Sequence, residues 1–148
     1  MKVIVDTNIV FSALLNSGSR IGEILLYAKE PLQFYTCNYL QTELQKHRDK
    51  LLKLTKLSEA KLAEIEKLIT HRITFIDEHL LPQSILIETE ALLKSIDQND
   101  TPFVALAVHL NGKLWTGDMK LYHGLKEKRF EDIMTTAELS LLLEDLER

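Results

Sequence analysis

The chain has one cysteine, Cys37, in 148 residues. A single thiol makes no intramolecular disulfide and no zinc site of several thiolates, and it suits a reducing cytoplasm. Proline (three) and glycine (five) are scarce. No Ser/Gly-rich linker, internal repeat or low-complexity tract interrupts the sequence, so residues 1–148 read as one domain. No apolar run approaches the ~18 residues of a membrane span. The start, Met1-Lys2-Val3-Ile4-Val5-Asp6, meets an acid too early for a secretion signal. His47, His71, His79, His109 and His123 form no His-x-x-x-His pair on one helix, which argues against zinc hydrolysis. With 45% apolar and 27% charged residues, the composition is that of a globular chain rather than a disordered one. A chain of about this length buries enough surface to need neither disulfide nor metal for its core. A bulk positive charge is also missing. The formal net charge is −4, from 18 Lys+Arg against 22 Asp+Glu, which argues weakly against coating nucleic acid by charge alone.

What is present is alternation. Val3-Ile4-Val5 is a β-branched run that reads as a buried strand. Gln33–Cys37, Ile73–Ile76, Lys113–Thr116 and Asp132–Thr135 are further strands, the first and last of these being the faintest. Helical spacing lies between them. Ile21, Ile24, Leu25 and Ala28 recur on one face. Asn38 and Gln41 resemble a capping box opening a helix with Leu40, Leu44, Leu51 and Leu54 inward. Ser58 begins another, with Leu62, Ile65, Leu68 and Ile69 inward. Ser84–Ser95, Thr101–Leu110 and Thr136–Leu146 complete the set, Phe103–Leu110 being apolar nearly all round and so the most buried. This order predicts an α/β fold, a three-layer α/β/α arrangement on a mainly parallel sheet. Ligands of such sheets collect beyond the carboxyl ends of the strands.

Acids stand at those ends. Asp6 follows the first strand and Asp118 follows Leu114-Trp115-Thr116-Gly117. Asp100 precedes the apolar helix. Glu43 lies at about −60° from Leu40 around its helix, on the border of a buried stripe where a lone acid is costly. Carboxylates converging on one pocket raise each other's pKa, and a hard cation with oxygen ligands relieves that cost. Each acid also has a purely structural reading. Asp6 and Asp100 suit helix N-caps, the latter ahead of Pro102, Asp118 suits a turn, and Glu43 can reach solvent. Spacing alone leaves the two sets of readings near balance.

The motifs resemble those of the PIN domain family, the nuclease domain typified by the toxins of VapBC toxin–antitoxin pairs, in the family's order and over nearly the whole chain. Asp6-Thr7-Asn8 resembles its Asp-Thr-Asn start, and Thr42-Glu43-Leu44 its first-helix acid motif. Asp100-Thr101-Pro102-Phe103-Val104-Ala105-Leu106-Ala107 resembles the Asp that opens the Ala-rich central helix, and Thr116-Gly117-Asp118 the signature after the fourth strand. The wording is similar to that of a poorly characterised bacterial and cyanobacterial subgroup. The resemblance implies an endoribonuclease dependent on Mg²⁺ or Mn²⁺, with Asp6, Glu43, Asp100 and Asp118 as catalytic and metal-binding acids. Thr7, Asn8 and Thr116 would support them, with Asp97 as an outer acid or a loop residue. It further implies a homodimer, an RNA substrate and an antitoxin partner. Gly117 stands where many members carry Arg.

Basic residues flank the acids. Leu44–Lys56 carries Lys46, Arg48, Lys50, Lys53 and Lys56 against Asp49, a net +4. The Lys120–Arg129 segment, read as a loop, carries a net +3. Lys46, Arg48, Lys50 and Lys120 are the RNA contacts this suggests, although a solvated helix face explains each residue singly. His47 shares the Glu43 face and reads either as a site contact or as a packed histidine. Trp115 reads as core. Cys37 precedes a helix that would lower its pKa, but no pattern marks it as a nucleophile. Two other functions compete: a catalytically silent PIN-like module that binds RNA or protein, and a phosphatase with Asp6 as nucleophile. The latter lacks the second Asp at position 8. Residues Glu131–Arg148 hold six acids and one arginine, so the remainder carries a net +1 and leaves room for an RNA backbone.

Overall fold

Val3, Ile4 and Val5 have no exposed surface because the strand they form, β1 (Lys2–Val5), is the middle of a five-stranded sheet. A run without polar alternation is what a strand covered on both faces requires. The computed structural model describes residues 1–148 throughout. The other strands are β2 (Gln33–Cys37), β3 (Ile73–Ile76), β4 (Lys113–Trp115) and β5 (Ile133–Met134). Their order is β3-β2-β1-β4-β5, and every pairing is parallel. Val3 lies opposite both Phe34 and Lys113, and Val5 opposite Trp115.

Nine helices cover the sheet: α1 (Thr7–Leu15), α2 (Arg20–Tyr27), α3 (Tyr39–Lys46), α4 (Arg48–Thr55), α5 (Glu59–Thr70), α6 (Gln83–Leu93), α7 (Thr101–Leu110), α8 (Met119–Glu127) and α9 (Thr136–Glu147). The result is the expected three-layer α/β/α fold. The apolar α7 lies across β1, β2 and β4 with α6 packed on it, and α1 packs against α2 to α5. Side chains at the helix starts satisfy free amides: Ser19 caps α2, Ser58 caps α5, and Thr135 with Glu138 forms a full capping box on α9. Trp115 is fully buried, and its indole N–H donates to Thr136 Oγ1 at 3.0 Å. No single helix is long and apolar enough to cross a membrane.

Several sequence expectations need correction. Asn38 makes no side-chain cap bond. The helix it was to open is two helices, α3 and α4, broken at His47, whose backbone leaves the helical region. The break lets Leu51 reach the core while Leu54 turns out to 54% exposure. Leu68 is likewise outward, at 58%. The Lys120–Arg129 segment is mostly helical, as α8, with Leu121 and Leu125 buried one turn apart. Ala28 is the C-cap of α2 rather than a member of it. Strands β4 and β5 are shorter than expected, three and two residues.

The chain runs outward from β1 through β2 to β3, then crosses back to β4 on the other side of β1. The connections therefore diverge between β1 and β4, at the carboxyl edge. That crevice is where open α/β sheets place ligands.

Candidate functional site

Asp6 leaves β1 at this crevice and is 3% exposed. Both its oxygens are anchored. Oδ1 accepts from the Thr7 amide at 2.8 Å, so Asp6 does cap α1. Oδ2 accepts from the Thr116 hydroxyl at 2.8 Å and from Asn8 Nδ2 at 3.1 Å. Burial pushes the Asp6 carboxyl up to about 6. The Thr116 hydroxyl and Thr7 amide oppose that rise, and the Glu43 and Asp118 charges add to it.

Thr116 is the hub of the β4 side. Besides donating to Asp6, its oxygen accepts from Asn8 Nδ2 at 3.2 Å and from the Asp118 amide at 3.1 Å. Asn8 Oδ1 accepts from the Gly117 amide at 2.8 Å. A Cβ at position 117 would stand 3.3 Å from that same oxygen, a tight contact that a shift of a few tenths of an ångström would relieve. Thr36, which sequence reasoning passed over, donates to the Val5 carbonyl at 2.8 Å from inside the sheet and fixes the strand end that presents Asp6. A fully buried threonine in a strand is indistinguishable in sequence from any other β-former.

The remaining acids are each tethered differently. Asp118 Oδ1 caps α8 through the Lys120 and Leu121 amides, leaving Oδ2 without a protein partner. Glu43 Oε1 accepts from the Thr7 hydroxyl at 2.5 Å, leaving Oε2 likewise. Asp97 Oδ1 accepts from the Asn99 amide at the start of the short 3₁₀ turn Gln98–Asp100. Asp100 is the exception. It makes no side-chain cap bond to α7, against the helix-cap reading. Its Oδ2 is buried and unpartnered, as is the neighbouring Thr101 hydroxyl. Burial pushes the Asp100 carboxyl up to about 8, with the Asp6, Asp97, Asp118 and Glu43 charges all adding to the rise.

All five carboxylates line one cleft of about 320 Å³, together with Thr7, Asn8, Phe11, His47 and Lys50. Thr116 lies beneath it, fully buried. The basic residues divide. Lys50 is in the cleft wall; Lys46 and Arg48 are not. The Arg48 guanidinium bridges α4 to α5, to Glu59 at 3.1 Å and Glu66 at 2.8 Å, which makes it a strut. Lys120 lines a separate groove beside α8 with His123 and Lys128. Phe11 was missed by sequence reasoning because α1 is apolar nearly all round. Its spacing of four from Thr7 was the available signal. Cys37 is buried, and burial, then the Glu78 charge, pushes its thiol up to about 12, which removes the expectation of helix activation.

A hard divalent cation suits this donor set, which is all oxygen and includes a buried carboxylate oxygen with no partner. As placed, no three acids are close enough to hold one ion together. The fit is therefore to an ion held directly by one or two carboxylates and through water by the rest, the usual manner of Mg²⁺. Asp6 is poorly arranged as a nucleophile, since it is nearly inaccessible and both oxygens are engaged.

No protein of curated function matches the chain in sequence. Among solved structures the fold is similar to VapBC2 from Rickettsia felis bound to a DNA fragment from their promoter. The TM-score is 0.67 at 19% identity, over 91% of this chain and 97% of that one. It is also similar to VapBC-1 from nontypeable Haemophilus influenzae, with a TM-score of 0.63 at 18% identity over 93% and 99%. Residues 4–141 match the PIN domain family, nearly the whole sequence with all the acids described above, and the chain belongs to that family.

Proposed function

We propose that the protein is a divalent-cation-dependent endoribonuclease that hydrolyses RNA phosphodiester bonds, acting as the toxin of a toxin–antitoxin pair. One observation carries the reading. Asp100 holds a buried oxygen without a partner against four other carboxylates at the crevice between β1 and β4. An arrangement so costly to an empty fold is explained by a ligand of positive charge. A bound Mg²⁺ or Mn²⁺ supplies an activated water and offsets charge on the phosphate oxygens.

The chain's own residues do the rest. Asp6 and Asp100 hold the cation, and Thr116 and Asn8 fix the Asp6 carboxylate so that it does not turn away from the cleft. Glu43, clamped by Thr7 through Oε1, keeps Oε2 free to accept a proton from a water. Asp118 and Asp97 hold further waters. The likeness to VapBC structures supports an antitoxin partner, and the family resemblance supports a homodimer. With RNA as substrate the place of action is the cytoplasm.

The experiment is cleavage of defined RNAs in Mg²⁺ or Mn²⁺ by protein freed of contaminating nucleases. The expected result is cleavage by the parent and none by Asp6→Asn or in chelator. Equal cleavage by Asp6→Asn sinks the reading. The silent binding module draws on the observation that no three acids stand within one ion's reach. Tight RNA retention without cutting in Mn²⁺ would establish it.

A further inference from the structure

We propose that Phe11, His47 and Lys50 form a nucleotide subsite beside the acids, in which an unpaired RNA base stacks on the Phe11 ring and Lys50 holds an adjacent phosphate. This rests on the nuclease reading above. Phe11 is the one apolar side chain among the ten that line the cleft. It stands four residues after Thr7 on α1, on the same helix face and about 6 Å further along the axis.

The ring is half-buried, with its inner side packed on the core. The His47 ring meets it edge-on, with centroids 6.0 Å apart and planes at 84°. His47 can do so because it sits at the break between α3 and α4. Lys50 Nζ lies 5.8 Å from the ring centroid, within cation–π range. Lys50 is also the only Lys or Arg in the cleft wall, among five carboxylates. It forms no ion pair, whereas Arg48, two residues away, forms two. An aromatic ring with an ammonium held by no ion pair is the pairing that binds single strands: the exposed Lys50 side chain moves from over the ring to the phosphate, and the base takes its place on the ring. A duplex keeps its bases stacked inside and offers nothing to Phe11, so the subsite selects unpaired RNA.

The test uses three variants of the full chain and a short oligoadenylate. Phe11→Leu keeps an apolar side chain against the core and should raise KM for cleavage roughly tenfold with kcat changed less than about twofold, the size expected for one lost stacking contact. Phe11→Trp should keep KM near the parent's, and its new indole fluorescence should be quenched on adding the oligoadenylate. The only native tryptophan, Trp115, is fully buried and serves as a constant background. Lys50→Ala should lower the salt dependence of binding by about one counterion. The proposal is overturned if Phe11→Leu melts like the parent and leaves KM unchanged. It is equally overturned if Phe11→Trp fluorescence ignores saturating oligoadenylate. If the parent cuts no RNA but the Phe11→Trp quench is seen, the nuclease reading fails while the subsite stands.

Discussion

Asp100→Asn should make the cation-free protein more stable. At pH 7 the unfolded chain carries Asp100 ionised, whereas the folded chain holds it protonated, because its carboxyl is raised from 3.8 to about 8. Taking up that proton costs roughly 1.4 kcal/mol per pH unit between 3.8 and 7, or about 4 kcal/mol at face value. Asp100 is half-buried, and solvent screening brings this to about 2 kcal/mol. Asparagine has nearly the same shape and no such cost. For a chain of this size about 2 kcal/mol corresponds to a rise of roughly 4–8 °C in Tm. The assay is thermal melting at pH 7 in EDTA, repeated with Mn²⁺. The parent should melt lower than Asp100→Asn in EDTA and gain more from Mn²⁺. A variant that melts at or below the parent in EDTA would refute the claim that the acids crowd one another.

Further expectations follow from the same geometry. Asp6 and Asp100 both have folded values above their ordinary 3.8, so between that value and the folded one the folded state binds more protons than the unfolded. Stability in chelator should therefore fall as pH rises from about 4, with the Asp6 share spent by about 6 and the Asp100 share by about 8. A pH series of urea midpoints reads this, and a stability that rises over that range contradicts it. Thr116→Val removes a buried hydroxyl used by Asp6, Asn8 and Asp118, which should cost about 1–3 kcal/mol in urea unfolding and most of the cleavage rate. Arg48→Ala should cost about 1 kcal/mol by unclamping α4 from α5 and leave RNA affinity unchanged; an affinity loss in filter binding would return Arg48 to the substrate path. Cys37 should resist iodoacetamide in the native protein, as read by mass spectrometry. Rapid native alkylation would mean that β2 opens at its carboxyl end.

The sheet was legible because its central strand is a pure β-branched run and because Asp6 and Asp118 fall at strand ends, where parallel topology makes carboxyl edges coincide. Asp100 was legible as an acid ahead of an apolar helix, but not as an unsatisfied one, since that depends on what surrounds it in space. The break at His47 was hidden because no glycine or proline marks it, and the Leu40–Leu54 spacing fits a straight helix just as well. The segment that forms α8 was read only for its run of basic residues, although Leu121 and Leu125 stand one turn apart within it. A Cβ at Gly124 would stand 2.8 Å from the Ile96 side chain, so the glycine serves a close crossing rather than a turn. Phe11 needed the fold as well as its spacing from Thr7, because only the meeting of α1 with the α3–α4 break shows that this face of α1 lines the cleft.

The most direct test of the central claim is a calorimetric titration of Mn²⁺ into the metal-free protein, the parent beside Asp6→Asn and Asp100→Asn. The cleft described here predicts saturable binding by the parent and a loss of roughly tenfold or more in affinity in each variant. Saturable binding of equal strength in all three, or none in the parent, would contradict it.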